Sequence, residues 1–242
     1  MSESPKTPIR LLIHGASGRM GQALLRLAGE RDDVRVVAAY SRSQPSQRVI
    51  DNVPHFASAE LAGAPEFDVA IDFSLPEGFD PVLALCAQRG KGLVSGTTGL
   101  SSAQNAQINE AAAAIAVVWA ANYSLGVAVL TELVRQAAAA LPEWDCDVIE
   151  AHHTRKLDAP SGTALHLGAA AAIGRGREPH YASLRAGDIV GEHTVQFATA
   201  GERIELIHRA TNRDIFARGA LHAAVRLAER APGMYQLRDL LG

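Results

Sequence analysis

Cysteine is almost absent from this sequence: Cys86 and Cys146 are the only two in 242 residues. So few exclude a secreted disulfide scaffold, and the pair has no metal-ligand spacing. Both sit in apolar runs and read as small, reduced core residues. Long hydrophobic runs are missing too. No stretch of about 20 residues escapes interruption by charge or glycine, so no membrane span is expected. The opening MSESPKTPIR is polar and holds no apolar signal core, and a soluble, cytoplasmic protein is the expectation. Charge of one sign is also lacking. Charged residues make up 20% of the chain, the net charge is −3, and no like-charge block stands out. A nucleic-acid binder usually shows a basic stripe, so none is expected as a partner. There is no internal repeat and no low-complexity linker.

What is present is apolar residue in quantity, 48% of the chain, ample for a buried core in one large or two small domains. The first half alternates strand and helix signals. Strands are expected at Ile9–Ile13, Val34–Tyr40, Val69–Phe73, Leu93–Ser95 and Ile115–Trp119. Between them helices are expected at Arg19–Ala28, at Pro81–Gln88 with Pro81 in the first turn, and at Ser101–Ala114 capped by Ser101. Such alternation implies βαβ units and a parallel sheet. The second half differs. A long helix at Val127–Ala140 precedes a strand at Asp147–Ala151 and a helix at Thr163–Ala172. Strand candidates then cluster at Tyr181–Leu184, Thr194–Ala198 and Glu202–His208, before a last helix at Ile215–Glu229. Clustered strands imply an open, largely antiparallel α+β domain. The expected class is therefore α/β, a Rossmann-like parallel-sheet domain with a second α+β domain. The boundary is placed near Ser124: residues 1–124 bind a dinucleotide, 125–212 bind substrate and carry oligomer contacts, and 213–242 return to the first domain.

Strand, glycine cluster, helix is the arrangement that binds a dinucleotide pyrophosphate. Here the cluster is Gly15-Ala16-Ser17-Gly18-Arg19-Met20-Gly21. Glycine lets the backbone turn tightly and approach phosphate without a Cβ in the way, and the helix N-terminus offers free N–H groups and a positive dipole end. The spacing is G-x-x-G-x-x-G rather than G-x-G-x-x-G, and a tight βα turn without ligand reads the same way. At the end of the second strand, where an acid grips the ribose hydroxyls of NAD, stand Ser41 and Arg42. An arginine there suits a 2′-phosphate; the bland alternative is a solvated loop arginine. Two further loops, Gly96-Thr97-Thr98-Gly99 and Ala121-Asn122-Tyr123-Ser124, follow strands. Ligands of open parallel sheets sit at the carboxyl ends of strands, so both face the crevice unless they are ordinary turns.

The strongest local signal is the polar stretch from Glu150 to Ala164, EAHHTRKLDAPSGTA. Adjacent histidines on extended chain point to opposite sides, so His152 and His153 hardly share a metal, and no third ligand has zinc-like spacing. No metal is expected. A histidine can instead act as a general acid near neutral pH. Lys156 supplies positive charge for an anionic substrate, or a proton. Ser161 is a good N-cap, and the N–H groups at Gly162 and Thr163 could hold a carboxylate. A capped helix after a polar loop accounts for Ser161 alone, but not for two histidines and a lysine beside it.

This stretch resembles the E-x-H-H-x-x-K-x-x-x-P-S-G-T signature of the 4-hydroxy-tetrahydrodipicolinate reductase family. The resemblance runs over nearly the whole chain, through the G-x-x-G-R-M-G loop, VAIDFS, GTTG, ANYS, RAGDIVGEHTV and RATNRDIFARGA. The departure is Ser41, where members that use NADH well carry an acid. The resemblance implies an NADPH- or NADH-dependent reductase of lysine biosynthesis via diaminopimelate. It implies that Gly15, Ala16, Ser17, Gly18, Arg19 and Met20 cradle the pyrophosphate, that Arg42 and also Arg19 lie near the adenosine ribose, and that Ser41 stands among the cofactor-binding residues. Gly96, Thr97, Thr98, Ala120, Ala121, Asn122 and Tyr123 are then on the nicotinamide side. His152 is the implied proton donor, with Lys156 as second donor or charge stabiliser. His153, Ser161, Gly162 and Thr163 are implied to bind a cyclic dicarboxylate. A homotetramer joined through the second-domain sheets is implied as well.

Two rivals stay open at this stage. A Rossmann-type NAD(P)H sensor would bind nucleotide without turnover, since function lives in sites and not in folds. An amino-acid or aldehyde dehydrogenase of similar plan would need a nucleophilic cysteine in the polar loop, and Cys146 lies in WDCDVIE, a poor place for one.

Overall fold

The structure, a computed structural model, describes residues 7–242; the first six residues of the polar opening stretch lie outside the described residues. The chain begins β1 (Ile9–His14), α1 (Arg19–Ala28), β2 (Val34–Ser41), β3 (Val49–Ile50), β4 (Val53–Ala57), β5 (Val69–Asp72), α2 (Pro76–Arg89), β6 (Gly92–Ser95), α3 (Ser102–Ala111) and β7 (Ala116–Trp119). It continues α4 (Leu125–Ala140), β8 (Asp145–His152), α5 (Gly162–Arg175), β9 (His180–Arg185), β10 (Gly191–Thr199), β11 (Glu202–Ala210), α6 (Asp214–Leu227) and β12 (Gly233–Tyr235). Two compact units result. One runs to Tyr123 and takes in Phe216–Gly242; the other is Ser124–Ile215. Among the described residues no helix is long and apolar enough to cross a membrane.

The first unit holds an eight-stranded sheet in the order β12-β7-β6-β5-β1-β2-β4-β3. All pairs are parallel except β3 with β4. β1 and β5 read as near-continuous apolar runs because helices cover both faces of such a sheet, and Leu11, Leu12, Ile13, Val69, Ala70 and Ile71 are fully buried. α3 starts as expected, with Ser101 accepting from the Gln104 N–H and the Gln104 side chain reaching back.

Three features differ from the sequence expectation. α2 begins a turn and a half earlier than Pro81. Pro76 takes the first helical position, where a missing N–H costs nothing, and Pro81 lies inside the helix. The hairpin β3–β4 was not expected. It turns on Asp51 and Asn52, both at positive φ (48° and 63°), which is what a two-residue primed turn requires. β12 is three residues long, too short to show a period.

The second unit is a four-stranded sheet, β11-β10-β8-β9, with α4 and α5 packed on one face. β8, β10 and β11 pair antiparallel, whereas β8 and β9 pair parallel because α5 forms the crossover between them. Alternation along β8 buries Cys146, Val148, Glu150 and His152, and along β10 it buries Gly191, His193, Val195 and Phe197. Register then sets rows across the sheet. Cys146 faces Phe197, and Val148 faces Val195 and Tyr181. Two residues on, Ser183, Glu150, His193 and His208 form a polar row, and Arg185 pairs with His152. One face of a single sheet thus passes from apolar core to a cluster of ionisable groups.

α6 packs against the loop after β7 through Gly219. A Cβ there would overlap the carbonyl oxygen of Tyr123, which is backbone and cannot swing aside. Gly219→Ala is expected to destabilise the protein by about 2–3 kcal/mol despite the better helix propensity of alanine. Urea denaturation monitored by circular dichroism measures this; an unchanged midpoint would show that α6 is free to shift.

Candidate active site

In the first unit the candidate loops all leave the carboxyl ends of parallel strands. After β1 the chain turns at Gly15, whose φ is +82° and where a Cβ would collide with the Phe73 carbonyl. The Gly15 and Ala16 N–H groups donate to Tyr40 O at 2.9 Å, tying the turn to β2. α1 then opens with Gly18 as N-cap, no side-chain cap and no acid in its first turn. Gly21 lets the helix press on the turn, since a Cβ would overlap Gly15 O. The three glycines therefore have separate tasks: turn, open helix end, close packing. An uncapped helix N-terminus with unopposed positive dipole and no Cβ at Gly18 fits a pyrophosphate.

Several predicted cofactor contacts turn out to face inward. Thr97 is buried and its hydroxyl donates to Asp72 at 2.7 Å. Tyr123 is buried, its hydroxyl donates to Ser95 O at 2.8 Å, and burial pushes the phenol well above its ordinary range. Gly96 admits the Phe73 ring, which a Cβ would overlap. Ser41 and Ala16 are buried as well. Ser17, Gly18, Arg19, Arg42, Thr98 and Ala121 are exposed in the same loops.

In the second unit Glu150 is the centre. Its carboxylate accepts from His152 Nδ1 at 2.5 Å, from the Ser161 N–H at 3.2 Å, and from both terminal nitrogens of Arg185 at 2.9 and 2.8 Å. Burial opposes ionisation of this group, but hydrogen bonds from Arg185, Ser183 and His152 outweigh it and hold the carboxyl at about 2. A carboxylate accepts only, so His152 carries a proton on Nδ1 and points Nε2 the other way. A Cβ on Gly191 would stand 3.0 Å from that Nε2, so glycine keeps the approach clear. Arg185 also donates to Lys156 O and Asp158 O, at 3.2 and 2.6 Å, and so shapes the loop that carries the lysine. Lys156 Nζ rests on both Asp158 oxygens at 2.8 Å.

Ser161 caps α5, accepting from the Ala164 N–H at 3.2 Å, and its oxygen lies 3.1 Å from His193 Nε2. Gly162 is exposed, and a Cβ there would meet open space. This helix end can take an anion. His153 diverges from His152 as extended chain requires, with Nε2 3.1 Å from the Arg213 guanidinium. Burial and the nearby Arg155 and Arg213 lower its pKa. The predicted residues His152, His153, Lys156, Ser161, Gly162 and Thr163 thus gather at one end of one sheet. Glu150, Arg185, His193 and Arg213 were not singled out by sequence reasoning. Glu150 opens the E-x-H-H signature, Arg185 and His193 lie in RAGDIVGEHTV and Arg213 in RATNRDIFARGA; strand register and tertiary folding bring the last three to the cluster. Among the described residues no group of three or more His, Cys, Asp or Glu is placed to hold a metal. Cys146 is buried with its thiol pushed up by that burial, which suits packing and not nucleophilic attack.

A glycine-rich nucleotide loop in one unit and a histidine–carboxylate cluster in the other define a Rossmann-type, two-domain reductase. The chain belongs to the dihydrodipicolinate reductase family. The family models match residues 9–123 (dihydrodipicolinate reductase, N-terminus) and 126–241 (C-terminus). The chain is 71% identical to 4-hydroxy-tetrahydrodipicolinate reductase of Stenotrophomonas maltophilia strain R551-3, over 98% of this chain and 99% of that one. It is 68% identical to the enzyme of the same name from Xanthomonas campestris pv. campestris strain B100, over 97% and 98%. A solved structure of dipicolinate-bound dihydrodipicolinate reductase from Paenisporosarcina sp. TG-14 shares the fold, with a TM-score of 0.85 at 24% identity over 96% of this chain and 99% of that one.

The cluster predicts a pH dependence of stability. Burial, with the charges of His152 and His208, pushes His193 down to about 4 from 6.5. The folded protein keeps this ring neutral where the unfolded chain would protonate it. Its contribution is therefore complete above pH 6.5 and falls as pH drops toward 4, by up to about 3 kcal/mol. Glu150 acts lower, between 4.5 and about 2. Urea denaturation at several pH values between 4.5 and 7 is expected to show a shallower slope in His193→Gln than in the wild type. Identical slopes would remove His193 as the source.

Proposed function

We propose that the protein reduces 4-hydroxy-tetrahydrodipicolinate to tetrahydrodipicolinate with NADPH or NADH, a step of lysine biosynthesis through diaminopimelate in which the 4-hydroxyl leaves as water, ring C4 takes the hydride and ring C3 a proton. The observation that carries this reading is the buried Glu150 carboxylate joining His152 to the N-cap of α5, an acid and an anion site held by one group. Nicotinamide, when bound, supplies the hydride. Gly15, Ala16, Ser17, Gly18, Arg19 and Met20 hold its pyrophosphate, Ser41 and Arg42 the adenosine ribose, and the Gly96–Thr98 and Ala120–Tyr123 loops the nicotinamide side. His152 gives the proton to ring C3 of the substrate from Nε2 of the doubly protonated ring, and Glu150 accepts the Nδ1–H and keeps Nε2 facing outward. His153, Ser161, Gly162 and Thr163 take the substrate carboxylates, and Lys156 adds positive charge. Arg213, beside His153, joins them.

The reading extends to a cytoplasmic homotetramer. The sheet face of the second unit that α4 and α5 do not cover carries the row Ile207, Thr194, Ile149 and Ala182, with Leu184 and Ile207 exposed. An apolar row of this kind suits a contact between copies.

The direct test mixes the protein with NADPH and the cyclic substrate and follows the nicotinamide absorbance; absence of turnover with retained nucleotide binding would favour a sensor instead. His152→Gln is expected to keep nucleotide affinity and lose about 10²-fold or more in kcat, as loss of a general acid implies. Near-normal turnover in that variant removes His152 from the mechanism. For the cofactor, NADPH is expected to serve at least as well as NADH. Arg42 is exposed, so its contact with a 2′-phosphate is worth the low end of a charged hydrogen bond, about tenfold in affinity. Arg42→Ala should lose that factor for NADPH and little for NADH, read from kcat/KM for both. Equal loss for both would mean that Arg42 supports the loop and not the phosphate.

A further inference from the structure

A buried polar chain runs beneath the loops of the first unit. Asp72, the last residue of β5, is wholly buried. One of its oxygens bonds His14 Nδ1 at 2.9 Å and the Ser74 N–H at 3.2 Å; the other takes the hydroxyls of Ser95 and Thr97 at 2.9 and 2.7 Å. His14 is itself 1% exposed, and its Nε2 lies 2.9 Å from Ser58 Oγ. The Ser58 hydroxyl donates to the Ser41 carbonyl at 3.1 Å. Serine, histidine and aspartate follow one another as in a nucleophilic triad, but the Ser58 proton is directed at a backbone carbonyl. The arrangement therefore holds backbone; it does not prepare an attack.

What it holds is specific. The carbonyl of Ser41 and the N–H of Arg42 belong to one planar peptide unit. Fixing the oxygen fixes the plane, and with it the direction in which the chain leaves β2 toward the Arg42 side chain. The opposite end of the chain, at Thr97, lies in the loop after β6, and its middle, His14, directly precedes Gly15. We propose that the Asp72–His14–Ser58 chain sets the Ser41–Arg42 backbone for the 2′-substituent of the nucleotide, which makes His14 and Ser58 specificity-determining positioning residues. This rests on the first unit being the NAD(P)H site. The ligand chemistry it distinguishes is a ribose 2′-phosphate against a ribose 2′-hydroxyl.

The test is titration calorimetry of NADPH and NADH, without substrate, on wild type, Ser58→Ala and Ser58→Thr. Ser58→Ala removes the hydroxyl that bonds both the Ser41 carbonyl and His14 Nε2; the first of these sets the Arg42 peptide and has the worth of one neutral hydrogen bond, so NADPH affinity should fall about three- to tenfold while NADH affinity moves less than about twofold. Ser58→Thr keeps the hydroxyl and should restore the wild-type ratio. Amide exchange at Arg42, measured without nucleotide, should quicken in Ser58→Ala and not in Ser58→Thr. A second pair, His14→Ala with Asp72→Asn, avoids leaving a buried carboxylate unpaired and should narrow the NADPH-to-NADH ratio in the same way. A Ser58→Ala protein with the wild-type ratio overturns the proposal, as does a wild type that does not distinguish the two nucleotides. A wild type that binds neither nucleotide overturns the assignment of the NAD(P)H site itself, a different failure from an unmoved ratio.

Discussion

The second unit depends on one buried charge. Glu150 sits in the polar row of the sheet with no access to water, and an unpaired carboxylate there would cost several kcal/mol. The donors that offset this cost come from four places in the sequence: His152 two residues on, Ser161 at the start of α5, and Arg185 and Ser183 on β9. Each is thereby held by the same carboxylate. The requirement to satisfy a single carboxylate orients the His152 ring, anchors the start of α5 and, through Arg185, draws in the Lys156–Asp158 loop. Packing alone would not do this, because apolar contacts are not directional.

The neighbouring histidines follow from the same register. His193 and His208 lie opposite one another across β10 and β11, and the ring of His193 meets that of His152 edge-on at 5.1 Å. Burial, and after it the charges of His152 and His208, keeps His193 neutral, with its Nε2 3.1 Å from the Ser161 hydroxyl oxygen.

Much of this was legible in the sequence, and the rest was not, for reasons of range. α1 runs from Arg19 to Ala28 as its periodicity dictates, and the βα alternation of the first half yields a parallel sheet. Local signals sufficed because each strand and helix carries its own apolar pattern. The candidate site was legible where its members are close in sequence, from His152 to Thr163. Arg185, His193 and Arg213 come from distant segments, and only the register of β8 with β9 and β10 brings the first two beside Glu150. The inward turn of Thr97 and Tyr123 was hidden for a similar reason, since their partners Asp72 and Ser95 lie more than twenty residues away. Pro81 misled because proline marks a helix start more often than a helix interior.

Asp72 in the first unit repeats the device of Glu150 in the second. Each is a fully buried carboxylate near the carboxyl end of a strand, each bonds a histidine Nδ1, and each accepts a backbone N–H from the segment that follows. Burying such charges is a poor route to stability, because a well-packed apolar replacement is often as good. What an apolar group cannot supply is direction. Burial would lift Asp72, yet the hydrogen bond and charge of His14 keep it below its ordinary range, so it remains an acceptor for every donor around it. In both units, then, the fold accepts desolvated charge where loops must be held to a hydrogen bond's tolerance, and uses apolar packing elsewhere. That division accounts for the place of Asp72 at the end of β5 and of Glu150 near the end of β8, each beside the loop whose N–H it accepts.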